Sequence, residues 1–181
     1  MGHKSILQLI IWVFFVLLFS ACQKQEGEFH GSAYAIKNNI SWNADCISGY
    51  SNQQPGEIFI TMRVYSTEGF KRETLHIGRI IPSTGIYEVE KPIADSTNIV
   101  LNNNWSIFAT SIDDGDVGDK FYNVLESEDN TLEITEINLE QMKVSGKFNI
   151  SFIREVSDSL TIVDTLRFVG GEFEAEIRED W

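Results

Sequence analysis

Val144-Ser145-Gly146-Lys147-Phe148-Asn149-Ile150-Ser151-Phe152 is the stretch that decides the fold. Val144, Phe148, Ile150 and Phe152 share one parity, while Lys143, Ser145, Lys147, Asn149 and Ser151 share the other. Successive side chains of a strand point to opposite faces, so this period of two puts an apolar face inward and a polar face in water. Ile58, Ile60, Met62 and Val64 repeat the pattern. So do Leu160, Ile162, Leu166 and Phe168, with only Asp164 intruding. Phe173, Ala175 and Ile177 then take the odd parity against Glu172, Glu174 and Glu176, the wet face of the strand. The parity changes at Gly170-Gly171. An extra residue there predicts a bulge that bends a long carboxy-terminal strand and resets its buried face.

Weaker strands are expected at 32–36, 41–47, 74–81, 86–90, 105–112, 121–125 and 132–137. Asn38-Asn39 suits a tight hairpin with both central residues at positive φ. Pro55, Pro82 and Pro92 all fall between strand patterns, where their missing N–H harms no ladder. No window sustains a 3.6-residue period. Many short strands with regular turns predict an all-β chain, a single antiparallel β-sandwich or small β-barrel over residues 29–181.

The amino terminus reads differently. Lys4 precedes the unbroken apolar run Leu9–Phe19, and Ser20, Ala21 and Cys22 follow it. A basic start, a short apolar run and small residues at its end predict a signal peptide over residues 1–21. The run is shorter than the ~20 apolar residues that span a bilayer. Residues 22–28 then form a polar tether. Leu18-Phe19-Ser20-Ala21-Cys22 resembles the bacterial lipoprotein lipobox. That resemblance implies a diacylglyceryl group on the Cys22 thiol, cleavage just before Cys22, and acylation of the new amine. Cys46 is then left without a disulfide partner and reads as a small buried apolar residue rather than a catalytic thiol.

Three further pieces carry a second resemblance. Ala35-Ile36-Lys37-Asn38-Asn39-Ile40-Ser41-Trp42 is similar to an "Ala-x-Ile-Asn-Gly-x-x-Trp" hairpin, with Asn39 in place of the glycine. Val144–Phe152 is similar to a "Ser-Gly-x-Phe-x-Phe" strand, and Val169–Phe173 to a closing "x-Gly-x-Phe". Together they resemble small β-rich lipoproteins of Bacteroidota of unknown function. The resemblance implies an all-β fold and an outer-membrane lipid anchor, with display on either the periplasmic or the cell-surface face, and it implies no reaction.

The 181 residues carry 27 acidic and 14 basic side chains, a formal net charge of -13. A surface this acidic repels phosphate backbones and argues against nucleic-acid binding. His30 and His76 stand in no metal or hydrolase motif, and His76 is expected on the solvent face of a strand. Asp113, Asp114, Asp116 and Asp119, with Gly115 and Gly118, supply the oxygens that calcium favours without the order of an EF-hand loop. A solvated turn is the reading adopted, so no metal and no cofactor is expected. Trp105, after Asn102-Asn103-Asn104, is the aromatic singled out for ligand contact. Ser96, Ser159 and Thr165 each follow an Asp in short motifs that resemble the glycosylation sites of exported Bacteroidota proteins. The function expected is a non-enzymatic binding or structural module, held to the membrane through Cys22 and facing an unspecified protein or glycan. A barrel-type carrier of a small apolar ligand is the alternative. A glycoside hydrolase built on paired carboxylates is a third reading.

Overall fold

The computed structural model describes residues 31–51, 54–95, 100–154 and 164–179. They form ten strands and no helix: β1 (Ser32–Lys37), β2 (Ile40–Tyr50), β3 (Ile58–Tyr65), β4 (Lys71–Ile80), β5 (Gly85–Glu88), β6 (Trp105–Ile112), β7 (Val117–Val124), β8 (Thr131–Asn138), β9 (Lys143–Ile153) and β10 (Thr165–Arg178). Eight of them close on themselves, in the order β1-β2-β3-β4-β6-β7-β9-β10 and back to β1, with every neighbour antiparallel. The protein is therefore a closed barrel, and the sandwich alternative is set aside. β8 and β5 extend the wall outward from β9.

Eight strands leave an interior just wide enough for side chains to fill. Here they fill it. Phe168 lies at the centre, with ring centroids of Trp42, Phe108, Phe152 and Phe148 at 5.0, 5.4, 5.8 and 6.4 Å. Ile58, Ile60, Met62, Leu75, Ile77 and Cys46 pack on the other side and are wholly buried. Lys37 and Glu73 meet in an ion pair at the mouth of this core, and Trp42 Nε1 donates to the same carboxylate at 2.7 Å. An inward charge at the rim is thus neutralised by a partner and by an indole that would otherwise lack an acceptor.

The Gly170-Gly171 bulge is present where the parity change places it. Phe168 pairs with Ile150 and Gly171 with Phe148, with a register shift between them. Gly170 adopts φ 60°. Beyond the shift, two strands interlock. Gly171 faces Phe148, and Phe173 faces Gly146. A Cβ on Gly171 would stand 2.6 Å from the Phe148 ring, and one on Gly146 would stand 2.8 Å from the Phe173 ring. Each phenylalanine therefore lies on the bare backbone of the opposite strand. Glycine permits that close approach and the sharp bend that a barrel corner needs.

β7 and β8 share one edge of β9, and a turn at 125–130 hands the edge from one to the other. Buried Asn130 organises it: its amide donates to the Leu125 and Glu128 carbonyls, and its Oδ1 accepts from Ser151 N at 2.8 Å. Glu128 in turn accepts from Arg167 and from Ser151 Oγ, and these bonds hold its carboxyl below the usual carboxylate range. The turn is thereby tied to both β9 and β10.

Several strands run longer than their patterns. β2 continues to Tyr50 because Ser48 points inward and satisfies its hydroxyl on the Phe59 carbonyl at 2.7 Å. β4 begins at Lys71, in polar residues that show no alternation. The residues 160–163 expected to lead into β10 lie outside the described residues.

The interlock makes a prediction. Gly171→Ala should destabilise the protein by roughly 1–3 kcal/mol, because Phe148 must leave its rotamer. Gly170→Ala meets no atom within 4 Å and should lose only the ~1 kcal/mol of left-handed backbone strain. Urea unfolding of the two variants checks the order of the two losses.

Candidate functional site

Two arrangements on the barrel exterior have site-like chemistry. The first crosses β2, β3, β4 and β6. Gly49 pairs with Phe59, Ile47 with Thr61, Thr61 with His76, His76 with Ile107, and Gly78 with Trp105. All of these side chains are on the outer face by alternation, yet Ile47 and Thr61 are buried. His76 is held between the rings of Phe59 and Trp105, at centroid distances of 5.6 and 5.0 Å. Its Nδ1 shares a 2.7 Å hydrogen bond with Thr61 Oγ1. Its pKa is pushed down from 6.5 to about 4, first by burial and then by the positive charge of Arg63. The outward face expected of His76 is correct, but solvent exposure is not: the neighbouring rings cover it.

Trp105 is half-buried, with its indole lying on Gly78 at the distance of close contact. Its Nε1 and the Oδ1 of Asn104 are buried and have no hydrogen-bond partner. The aromatic singled out from the sequence is therefore a wall residue that fills the space above a glycine. Gly78 was the available signal: a glycine within a strand marks a spot where another side chain comes close. The Thr61–His76 pair is legible only once the β3–β4 register is known.

The second arrangement is a polar cleft of about 230 Å³ over β8, β9 and β10, lined by Glu136, Asn138, Gln141, Lys143, Val144, Ser145 and Glu174. Glu136 and Glu174 both lie opposite Ser145, one on each neighbouring strand. Two strand spacings put their backbones roughly 10 Å apart. Lys143 Nζ is 3.7 Å from Glu174 Oε1. Both glutamates face water.

The remaining sequence candidates are dispersed. Asp113, Asp114, Asp116 and Asp119 are exposed on the β6–β7 hairpin, and Gly115 is pressed onto the Lys71 backbone. Arg72 donates to the Asp113 carbonyl at 2.9 Å, and Asp119 accepts from Thr110 Oγ1 at 3.2 Å. Among the described residues no group of three or more His, Cys, Asp or Glu could hold a metal ion. Thr165 is the half-buried first residue of β10, paired with Ile153. The Asp164 carboxylate before it accepts from Tyr122 OH at 2.6 Å. Cys46 is fully buried, and burial pushes its thiol well above the ordinary range. A thiol so raised is no nucleophile. Cys22, Ser96 and Ser159 lie outside the described residues.

In comparisons with known proteins, no family model, no curated protein and no solved structure matches the chain. The fold and its exterior define a class, a closed antiparallel β-barrel with a filled core and a small extension of its wall.

His76 yields a pH prediction. Its folded pKa lies below its unfolded value of 6.5, so its contribution is complete above pH 6.5, where both states hold a neutral ring. As pH falls from 6.5 toward 4, the unfolded chain takes up the proton first and stability is lost. His76→Gln should flatten that part of the stability–pH curve. Thermal melts between pH 4 and 7 provide the check.

Proposed function

We propose that the chain is a lipid-anchored envelope protein of a bacterial outer membrane, and that its barrel serves as a non-enzymatic binding or structural module. The observation that carries the reading is Leu18–Cys22, a lipobox-like sequence set nine residues ahead of Gly31, where the barrel wall begins. A folded unit on a short polar tether after a lipidated residue is a module held at a membrane surface. Two or three acyl chains on one residue make such anchoring lasting, where a single chain gives marginal binding.

The filled interior supports recognition by the outer surface rather than carriage. Carriers keep an empty apolar cavity, but here Phe108, Phe148, Phe152 and Phe168 occupy the centre. The solvated setting of Glu136 and Glu174 weighs against the hydrolase reading. The partner is then a protein or a glycan met at the surface, and no nucleic acid is expected with a net charge of -13.

Metabolic labelling with a fatty acid tests the reading. Wild type should incorporate label and fractionate with membranes, and Cys22→Ser should incorporate none. Equal incorporation by the variant would refute the assignment of Cys22.

A further inference from the structure

We propose that one end of the barrel, rimmed by Ile81, Ile86, Ile93, Leu101 and Leu139, rests on the lipid surface that holds the Cys22 anchor. The inference depends on the lipid-anchor reading and adds an orientation to it.

The topology gathers these residues. β1 begins at this end, β2 turns into β3, β4 finishes, β6 starts, and β8 turns into β9. The excursion 81–104 therefore leaves and returns at this end. Its described parts are built into the barrel. Arg79 pairs with Glu57 and donates to the carbonyls of Val100 and Leu101. Leu101 N donates to the Ile93 carbonyl at 2.8 Å, and Asn102 Oδ1 accepts from Ile93 N at 2.8 Å. A surface fixed by so many backbone bonds still leaves Ile86 73%, Leu101 57%, Ile93 53%, Ile81 51% and Leu139 50% exposed. Burying apolar area is the main favourable term available to it, and a headgroup–acyl boundary takes up aliphatic side chains.

The tether decides what meets this surface. Gly31 is wedged between β2 and β10, with Cys46 O 2.6 Å and Ala175 Cα 2.8 Å from where its Cβ would be. The chain thus joins the wall at this same end. Residues 23–30 separate it from Cys22, and even fully extended that stretch reaches only about 30 Å. The opposite end also shows apolar residues, Ile112 and Val117, but Asp113, Asp114, Asp116 and Asp119 surround them in the exposed hairpin. Glu88 and Glu140 are likewise exposed beside Ile86 and Leu139, so it is the reach of the tether, not the charge of the two ends, that favours this one.

Site-directed fluorescence on the whole chain tests the orientation. The protein is made in a host that processes lipoproteins and reconstituted into phosphatidylethanolamine–phosphatidylglycerol vesicles. Leu139→Cys, Ile93→Cys and Asp114→Cys variants each carry an environment-sensitive dye, since native Cys46 is buried. With a nitroxide lipid in the vesicles, the dyes at 139 and 93 should shift to the blue and lose most of their emission, and the dye at 114 should keep its emission. All three dyes behaving as in water, or quenching at 114 alone, would overturn the orientation while leaving the anchor standing. A mass for the mature protein with no lipid on Cys22 would overturn anchor and orientation together.

Discussion

The barrel depends on the seam between β9 and β10, where Phe148 lies on Gly171 and Phe173 lies on Gly146. Two constraints meet there. A sheet of eight strands must bend sharply somewhere to close, and its core must be packed to the density of a solid. Glycines supply the bend but leave gaps in the wall. The two phenylalanines fill those gaps from the inside, each over the other strand's glycine. The left-handed Gly170 then moves β10 by one residue, so that Phe168 and Phe173 both face inward despite opposite parity. Without that shift one of the two rings would point into water.

The same packing bears on the proposed role. In the proposed binding role, a core crowded around Phe168 leaves recognition to the outer wall and the two barrel ends. The wall carries its own Gly–aromatic pairs, Phe59 over Gly49 and Trp105 over Gly78. These draw His76 into an apolar setting on the exterior and keep it neutral through physiological pH. The end where the chain joins the wall exposes aliphatic side chains beside carboxylates such as Glu88 and Glu140, and the other carries the exposed aspartates of the β6–β7 hairpin.

Much of the fold was legible because period-two alternation is a direct imprint of a half-buried strand. β9, β3 and the bulge in β10 follow from parity alone, and Asn38 and Asn39 take φ values of 48° and 65° as a tight hairpin requires. Closure was not legible. Alternation says which face of a strand is apolar but not which strands are neighbours, so sandwich and barrel stay open until β1 is seen against both β2 and β10. The exterior was less legible still. Thr61 and His76 are fifteen positions apart, and Glu136 and Glu174 thirty-eight, and each pair is joined only by register. His76 reads as exposed because alternation does not report that rings from neighbouring strands lie across it.

Hydrogen exchange by NMR on the β1 and β10 amides tests the central claim, closure through this seam, most directly. In a closed barrel both edges of both strands are paired, so their amides should exchange as slowly as those of β3 and β4 and open with global unfolding. Fast exchange along β10 or β1, at the rate of an edge strand and independent of global stability, would mean the sheet is open there and would contradict the account.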